Sequence, residues 1–268
     1  MSDPEGSLPT RPGGAEHRRG SDPERRVALV TGASRGVGRA IALRLAADGF
    51  AVIVNYRTDG AAAERTRSEA EALGVPASVF QADASSQDDV RKLFAHVRTI
   101  YGRLDVLVNS VGMLHEGLFA MTSPSKFMAV LSANLGATVL CTHAALPMMI
   151  AKRRGSIVNV SSATATYAPH GLSAYASAKA AINTLTRGVA REVASFGIRV
   201  NAVAPTWVDT ELIAGLEANA QVAERMKRIP LGRVARAEEV AAVVSALVRE
   251  DMTYVLGQTI TIDGGGSL

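Results

Sequence analysis

The sequence predicts an α/β fold, a single-domain doubly wound parallel sheet of seven strands with helices on both faces. Three observations predict it. From residue 26 onward, short apolar runs with no polar face alternate with amphipathic stretches, the pattern of strands covered on both sides by helices. Hydrophobic residues make up 47% of the 268 residues but aromatics only 4%, so Ala, Val, Leu and Gly must fill the core. The first apolar run also leads directly through a glycine-rich turn into a helix. No internal repeat or linker interrupts 26–268, which therefore reads as one domain.

Residues 1–25 hold Ser, Pro, Gly, Arg, Asp and Glu with almost no apolar side chains, a composition that predicts a disordered tail. Asp3, Glu5, Glu16, Asp22 and Glu24 argue against an organelle transit peptide. The first strand, 27–30, runs into Thr31, Gly32, Ala33, Ser34, Arg35, Gly36, Val37 and Gly38, and a helix follows to about residue 48. Glycines let the backbone approach a pyrophosphate, and the free N–H groups at the start of the helix stabilise its charge. Gly32, Ser34, Arg35, Gly36, Val37 and Gly38 thus form a candidate phosphate-binding turn for a dinucleotide.

The second strand, 51–55, ends at Asn55, Tyr56 and Arg57. A carboxylate placed here would hold ribose hydroxyls, whereas an arginine accommodates a 2′-phosphate. None falls between residues 51 and 57, and Arg35 adds a second cation, so the expected cofactor is NADP(H) rather than NAD(H). Asp59 reads as the N-cap of a helix over 60–73. A third strand at 77–81 precedes Asp83 and Ala84, and the next helix begins near Gln87. Asp83 is either a ligand contact or the cap of that helix.

A fourth strand at 104–108 is followed by Asn109, Ser110, Val111 and Gly112. One long helix is predicted over 124–150, with Asn134 near its middle, unfavourable there by propensity, and Pro147 bending or ending it. The fifth strand, 155–160, delivers Ser161 and Ser162 at its carboxyl end, where open parallel sheets bind ligands. A helix from about Ser173 carries Tyr175 and Lys179, and a sixth strand occupies 198–203. The irregular helical stretch 211–229 reads as a mobile lid. A helix over 237–249 and a seventh strand over 258–262 complete the sheet.

Tyr175 and Lys179 stand at i and i+4, so a helix places them on one face. A free phenol has a pKa of about 10 and is a sluggish base at neutral pH. An ammonium ~4 Å away at an effective dielectric of ~20 interacts with a phenolate by roughly 4 kcal/mol, enough to bring the phenol close to working pH. That is the expectation for Tyr175.

The order of these features resembles the classical short-chain dehydrogenase/reductase family. It runs from the glycine turn through Asp83, Asn109 with Gly112, Asn134, Ser162, Tyr175 and Lys179, then the Pro205 to Thr210 loop and the closing Asp263, Gly264 and Gly265. The resemblance implies a Rossmann fold and an NADPH-dependent carbonyl reductase. Ser162, thirteen residues before Tyr175, holds the substrate oxygen, and Tyr175 transfers the proton. Lys179 holds the nicotinamide ribose, and Asn134 holds a proton-relay water. Asp83 and Ala84 contact adenine, and Val208 binds the carboxamide. Thr210 reaches the amide or diphosphate, and the helices carrying Asn134 and Tyr175 pack in a homotetramer. The sequence departs from the family pattern at Ser110 and Val111, where Asn and Ala are usual, and at Thr206, where Gly is usual.

The implied substrate is a ketone or secondary alcohol, either free, as a sugar, steroid or small alcohol, or bound to a carrier protein as a 3-oxoacyl thioester. Thr164, Tyr167 and His170 are expected to line its pocket. Arg153 and Arg154 are candidate contacts for an acidic carrier, although Phe196 stands where such reductases often have a basic residue. A rival reading is a cofactor-binding regulator without turnover. The formal charge of +4 is scattered Arg without interleaved aromatics, which argues against nucleic acid. Cys141 alone excludes an internal disulfide and a multi-thiolate metal site, so no metal is expected. With no 18-residue apolar run or signal peptide recognised, the expectation is no membrane and a cytoplasmic protein.

Overall fold

The computed structural model describes residues 25–210 and 229–267. The tail expected over 1–25, apart from Arg25, and the lid expected over 211–229, apart from Ile229, lie outside these described residues. Seven parallel strands form one sheet in the order β3-β2-β1-β4-β5-β6-β9. They are β1 (Val27–Thr31), β2 (Ala51–Tyr56), β3 (Ala77–Gln81), β4 (Val106–Asn109), β5 (Gly155–Val160), β6 (Ile198–Pro205) and β9 (Thr259–Ile262). A separate parallel pair, β7 (Val208–Asp209) and β8 (Ala235–Arg236), has no signal in the apolar pattern. The chain order reverses between β1 and β4, opening a crevice at the carboxyl ends of the strands.

Every residue of β1, β4 and β5 is buried, as expected of central strands with no polar face. On one face α1 (Gly36–Ala47) packs against α8 (Ala237–Val248), joining Ile41 and Leu45 to Val240 and Val244. On the other, α3 (Gln87–Tyr101), α5 (Ala137–Lys152) and α7 (Ser173–Val193) bring Leu93, Phe94, Cys141, Met149 and Val193 into one cluster with Leu107 and Ile157. Cys141 is fully buried, and burial pushes its thiol up to about 12, which leaves it an apolar filler. The fourth strand begins at Val106 rather than at residue 104. The reason is Asp105, which accepts from the amide of Val27 at 2.8 Å and from Arg103.

Local signals set the helix starts. Asp59 accepts from the amide of Ala62 and caps α2 (Gly60–Ala72). Ser86 does the same for α3, so Asp83 is released from the capping role. The long helix expected over 124–150 is α4 (Pro124–Leu131), a wider π turn at Ser132–Gly136, and α5. Pro147 does not end it. Together these pieces are long and apolar enough, by length and composition, to cross a membrane. Cys141, Ala145 and Met149 instead bury one stripe of the helix against the sheet.

Candidate active site

The crevice at the strand ends is a cleft of about 630 Å³, within the usual range for a ligand site. It is lined by all the candidate cofactor and catalytic residues except Asn109 and Asn134, which stand behind its wall. At one end, Gly32 and Gly36 take positive φ of 64° and 55°, which favours glycine. A Cβ at Gly38 would lie 2.3 Å from the carbonyl oxygen of Gly32, so only glycine lets α1 start this close to β1. No side chain caps α1 at Arg35, which leaves its first-turn amides directed at the cleft for an anion. Thr210 approaches the same turn, with its Cγ2 3.6 Å from where a Gly36 Cβ would be.

Asn55 is buried and ties three strand ends together. Its Oδ1 accepts from Gly32 N, and its Nδ2 donates to the carbonyls of Phe80 and Ala82. Arg57 emerges exposed at the rim, 3.6 Å from Asp83. Asp83 also accepts from the amide and hydroxyl of Ser85. Burial raises the Asp83 carboxyl, but Ser85 and Arg57 outweigh burial and hold it below the usual carboxylate range. Ser85, Met113 and Leu114 line the cleft and were not singled out by sequence reasoning. For Ser85 the signal was its place two residues after a strand-end carboxylate.

At the other end, β5 delivers two serines with different tasks. The Ser161 hydroxyl donates to the Lys179 carbonyl, a bond internal to the fold. Ser162 faces the cleft, accepts from the amide and hydroxyl of Thr164 at 3.2 and 2.9 Å, and shares a hydrogen bond with Tyr175. Lys179 is buried, and its Nζ donates to the Val160 carbonyl at 2.8 Å while lying 5.5 Å from the Tyr175 ring centroid. Thr164 opens the short helix α6 (Thr164–Tyr167); Tyr167 at its end and His170 beyond it are exposed.

The phenol expectation is corrected. Burial, the larger effect, pushes Tyr175 up to about 12, with the Ser162 hydroxyl pulling the other way. Burial also lowers Lys179 to about 8. The physical reason is that desolvation acts against both charged forms, and the ammonium is bonded to the Val160 carbonyl, 5.5 Å from the centre of the Tyr175 ring. The arrangement keeps the phenol protonated, which suits a proton donor.

Behind this end, Asn134 donates to the carbonyls of Val130 and Met113, which locks the π turn. Its Oδ1 is buried without a partner among the described residues. A Cβ at Gly112 would lie 3.1 Å from that oxygen and 3.5 Å from Lys179 Nζ, so the two atoms converge on one small gap. Asn109 bonds to Thr142 and to Asn159, and Asn159 bonds to Thr186 on α7. Sequence reasoning missed Asn159, which links the sheet to the helix of Tyr175.

The departures are accommodated. Ser110 donates its amide to the Thr31 hydroxyl, and Val111 packs on Gly32, where an added Cβ would be 3.2 Å from its Cγ2. Thr206 is not among the residues with positive φ, so glycine is not required there. Pro205 accepts from the amide of Ala163, and Val208 is held in the β7–β8 pair. Arg153 and Arg154 precede β5, at the end of that strand opposite Ser162, roughly 20 Å away by strand rise within the same chain. Arg153 lies over Phe196, and Arg154 pairs with Glu250.

A family model described as Enoyl-(Acyl carrier protein) reductase matches residues 32–267. The chain is 37% identical over 238 residues to a 3-oxoacyl-[acyl-carrier-protein] reductase of Staphylococcus aureus, covering 89% of this chain and 96% of the relative. It is 38% identical over 240 residues to the enzyme of the same name from Synechocystis, covering 89% and 96%. A crystal structure of a short chain dehydrogenase from Burkholderia cenocepacia in complex with NADP superposes with a TM-score of 0.84 at 35% identity. It covers 91% of this chain and 98% of the other. The same glycine turn, strand-end serine and Tyr–Lys helix that build this cleft therefore stand in a chain that belongs to the short-chain dehydrogenase/reductase family.

Proposed function

We propose that the protein is an NADPH-dependent carbonyl reductase, moving hydride between nicotinamide and a ketone or secondary alcohol. One observation carries the reading: Ser162, Tyr175 and Lys179 face the same cleft as an uncapped, glycine-lined helix start. The residues present fit the cofactor. The turn has room for a diphosphate, Arg57 and Arg35 suit a 2′-phosphate, and the relative from Burkholderia cenocepacia was crystallised with NADP.

Bound NADPH supplies the hydride. Ser162 donates a hydrogen bond to the carbonyl oxygen, where negative charge develops, and Thr164 holds the Ser162 hydroxyl in place. Tyr175 gives that oxygen its proton from a phenol that burial keeps protonated. Lys179 holds the ribose hydroxyls and keeps a positive charge beside the phenol at pH below about 8. Asn134 and Lys179 hold a water between them from which Tyr175 is reprotonated. Asp83 and Ala84 would contact adenine, Val208 would hold the nicotinamide amide, and Thr210, beside the glycine turn, would reach the amide or the diphosphate.

The substrate class supported best is a 3-oxoacyl thioester, the class named for the curated relatives. The positions of Arg153 and Arg154 favour no carrier contact at the cleft of their own chain. Purified protein with NADPH and a panel of 3-oxoacyl thioesters, small ketones and sugars tests this. Carbonyl-dependent loss of nicotinamide absorbance, fastest with thioesters, is expected. Intact NADPH binding with no turnover across the panel would instead support a regulator. The reading includes a cytoplasmic homotetramer formed through the long helix that carries Asn134, where Val139 is exposed, and α7, which carries Tyr175; a monomer mass in light scattering would contradict the tetramer.

A further inference from the structure

We propose that Asp83 is a positioning residue for NADP(H) selectivity, holding the Arg57 guanidinium at the adenosine rim of the cleft. This rests on the reading that Arg57 takes the 2′-phosphate. The register places Tyr56 beside Gln81, so Arg57 and Asp83 leave neighbouring strand ends at the same level. Asp83 divides its oxygens. Oδ1 accepts from Ser85 N at 2.9 Å and Ser85 Oγ at 2.6 Å, while Oδ2 lies 3.6 Å from Arg57 Nη1. Gln81 Nε2 donates to the Arg57 carbonyl at 2.9 Å, which fixes the backbone from which the guanidinium extends.

The physical case turns on exposure and sign. The Arg57 side chain is 64% exposed and has four rotatable bonds, so it needs an anchor to wait at the rim in one place. A carboxylate near a phosphate site opposes the phosphate by Coulomb repulsion unless a cation stands between them. Asp83, itself anchored by Ser85, puts that cation between. Contact with adenine alone would help NADP(H) and NAD(H) equally. Positioning of Arg57 helps only the cofactor with the extra phosphate.

The test is the ratio of Kd for NAD⁺ to Kd for NADP⁺, measured by calorimetry in the wild type and in Asp83→Asn, Ser85→Ala, Arg57→Ala and the Asp83→Asn/Arg57→Ala double variant. Arg57→Ala lowers the ratio by about tenfold or more. Asp83→Asn lowers it about threefold and Ser85→Ala about twofold, the scale of an exposed ion pair. In the Arg57→Ala background, Asp83→Asn lowers it no further. Ser85→Ala keeps the carboxylate charge and tests the anchor if Asp83→Asn fails to fold. An unchanged or raised ratio in Asp83→Asn, or an equal fall in both backgrounds, overturns the proposal. An unchanged ratio in Arg57→Ala overturns the 2′-phosphate reading itself.

Discussion

The two ends of the cleft are built differently. At the end proposed to take nicotinamide, Lys179 and Asn134 are almost fully buried, and their polar atoms are tied to backbone carbonyls or aimed at a gap. At the adenosine end, Arg57 is exposed and held by one long ion pair from a strand-end loop. Buried groups fix a reaction because moving any of them leaves another unsatisfied. Exposed charges set selectivity where a substitution costs the fold little. On the proposed reading, the chemistry is hard to change in this molecule and the cofactor choice is easy to change.

Tyr175→Phe probes the buried end and should have the largest effect. Turnover should fall by about 10²–10⁴-fold while NADPH binding stays near the wild-type value, as separate kinetic and fluorescence titrations would show. Binding lost together with turnover would make Tyr175 a structural residue. Arg57→Asp probes the exposed end. It should shift the NADPH to NADH preference by about 10–100-fold, with thermal stability changed by less than about 0.5 kcal/mol. A large stability loss would erase the contrast between the ends.

Gly38→Ala probes the glycine turn, where an added Cβ would meet the Gly32 carbonyl at 2.3 Å. Overpacking of this kind costs about 1–3 kcal/mol and should weaken both cofactors alike, which urea melts and titrations would register. Lys179 makes a subtler prediction. Its pKa is depressed in the folded state from 10.5 to about 8, so burial destabilises the fold fully below pH 8. Between about 8 and 10.5 the unfolded state binds more protons, and stability climbs with pH. Relative to Lys179→Met, the wild type should gain on the order of 2–3 kcal/mol across that window. A flat difference would show that the ammonium is not desolvated.

The sheet, the glycine turn and the placing of Tyr175 and Lys179 on one helix were legible because each rests on local pattern, whereas Ser162 was chosen by the resemblance to the family. Apolar runs make central strands, glycine admits positive φ, and residues at i and i+4 share a helix face. The parts that were not legible depend on distant partners. The π turn at Ser132–Gly136 needs Met113 to accept from Asn134 across the fold. The phenol shift took the opposite sign because burial, which depends on the whole cleft, outweighs the hydrogen bond from Ser162, and the Lys179 ammonium is bonded to the Val160 carbonyl. Asn159 looked ordinary until the sheet register placed it beside Asn109, and Ser85 until the turn after β3 folded its hydroxyl onto Asp83.

Division of labour between the two ends is tested most directly by single-turnover reduction. The comparison is Arg57→Asp at saturating NADH against the wild type at saturating NADPH, with the best thioester of the panel. The hydride-transfer rates should agree within about threefold, because the exposed end only chooses which cofactor enters. A rate lowered by about tenfold or more at saturation would mean that Arg57 also shapes the reaction at Tyr175, and would contradict the account.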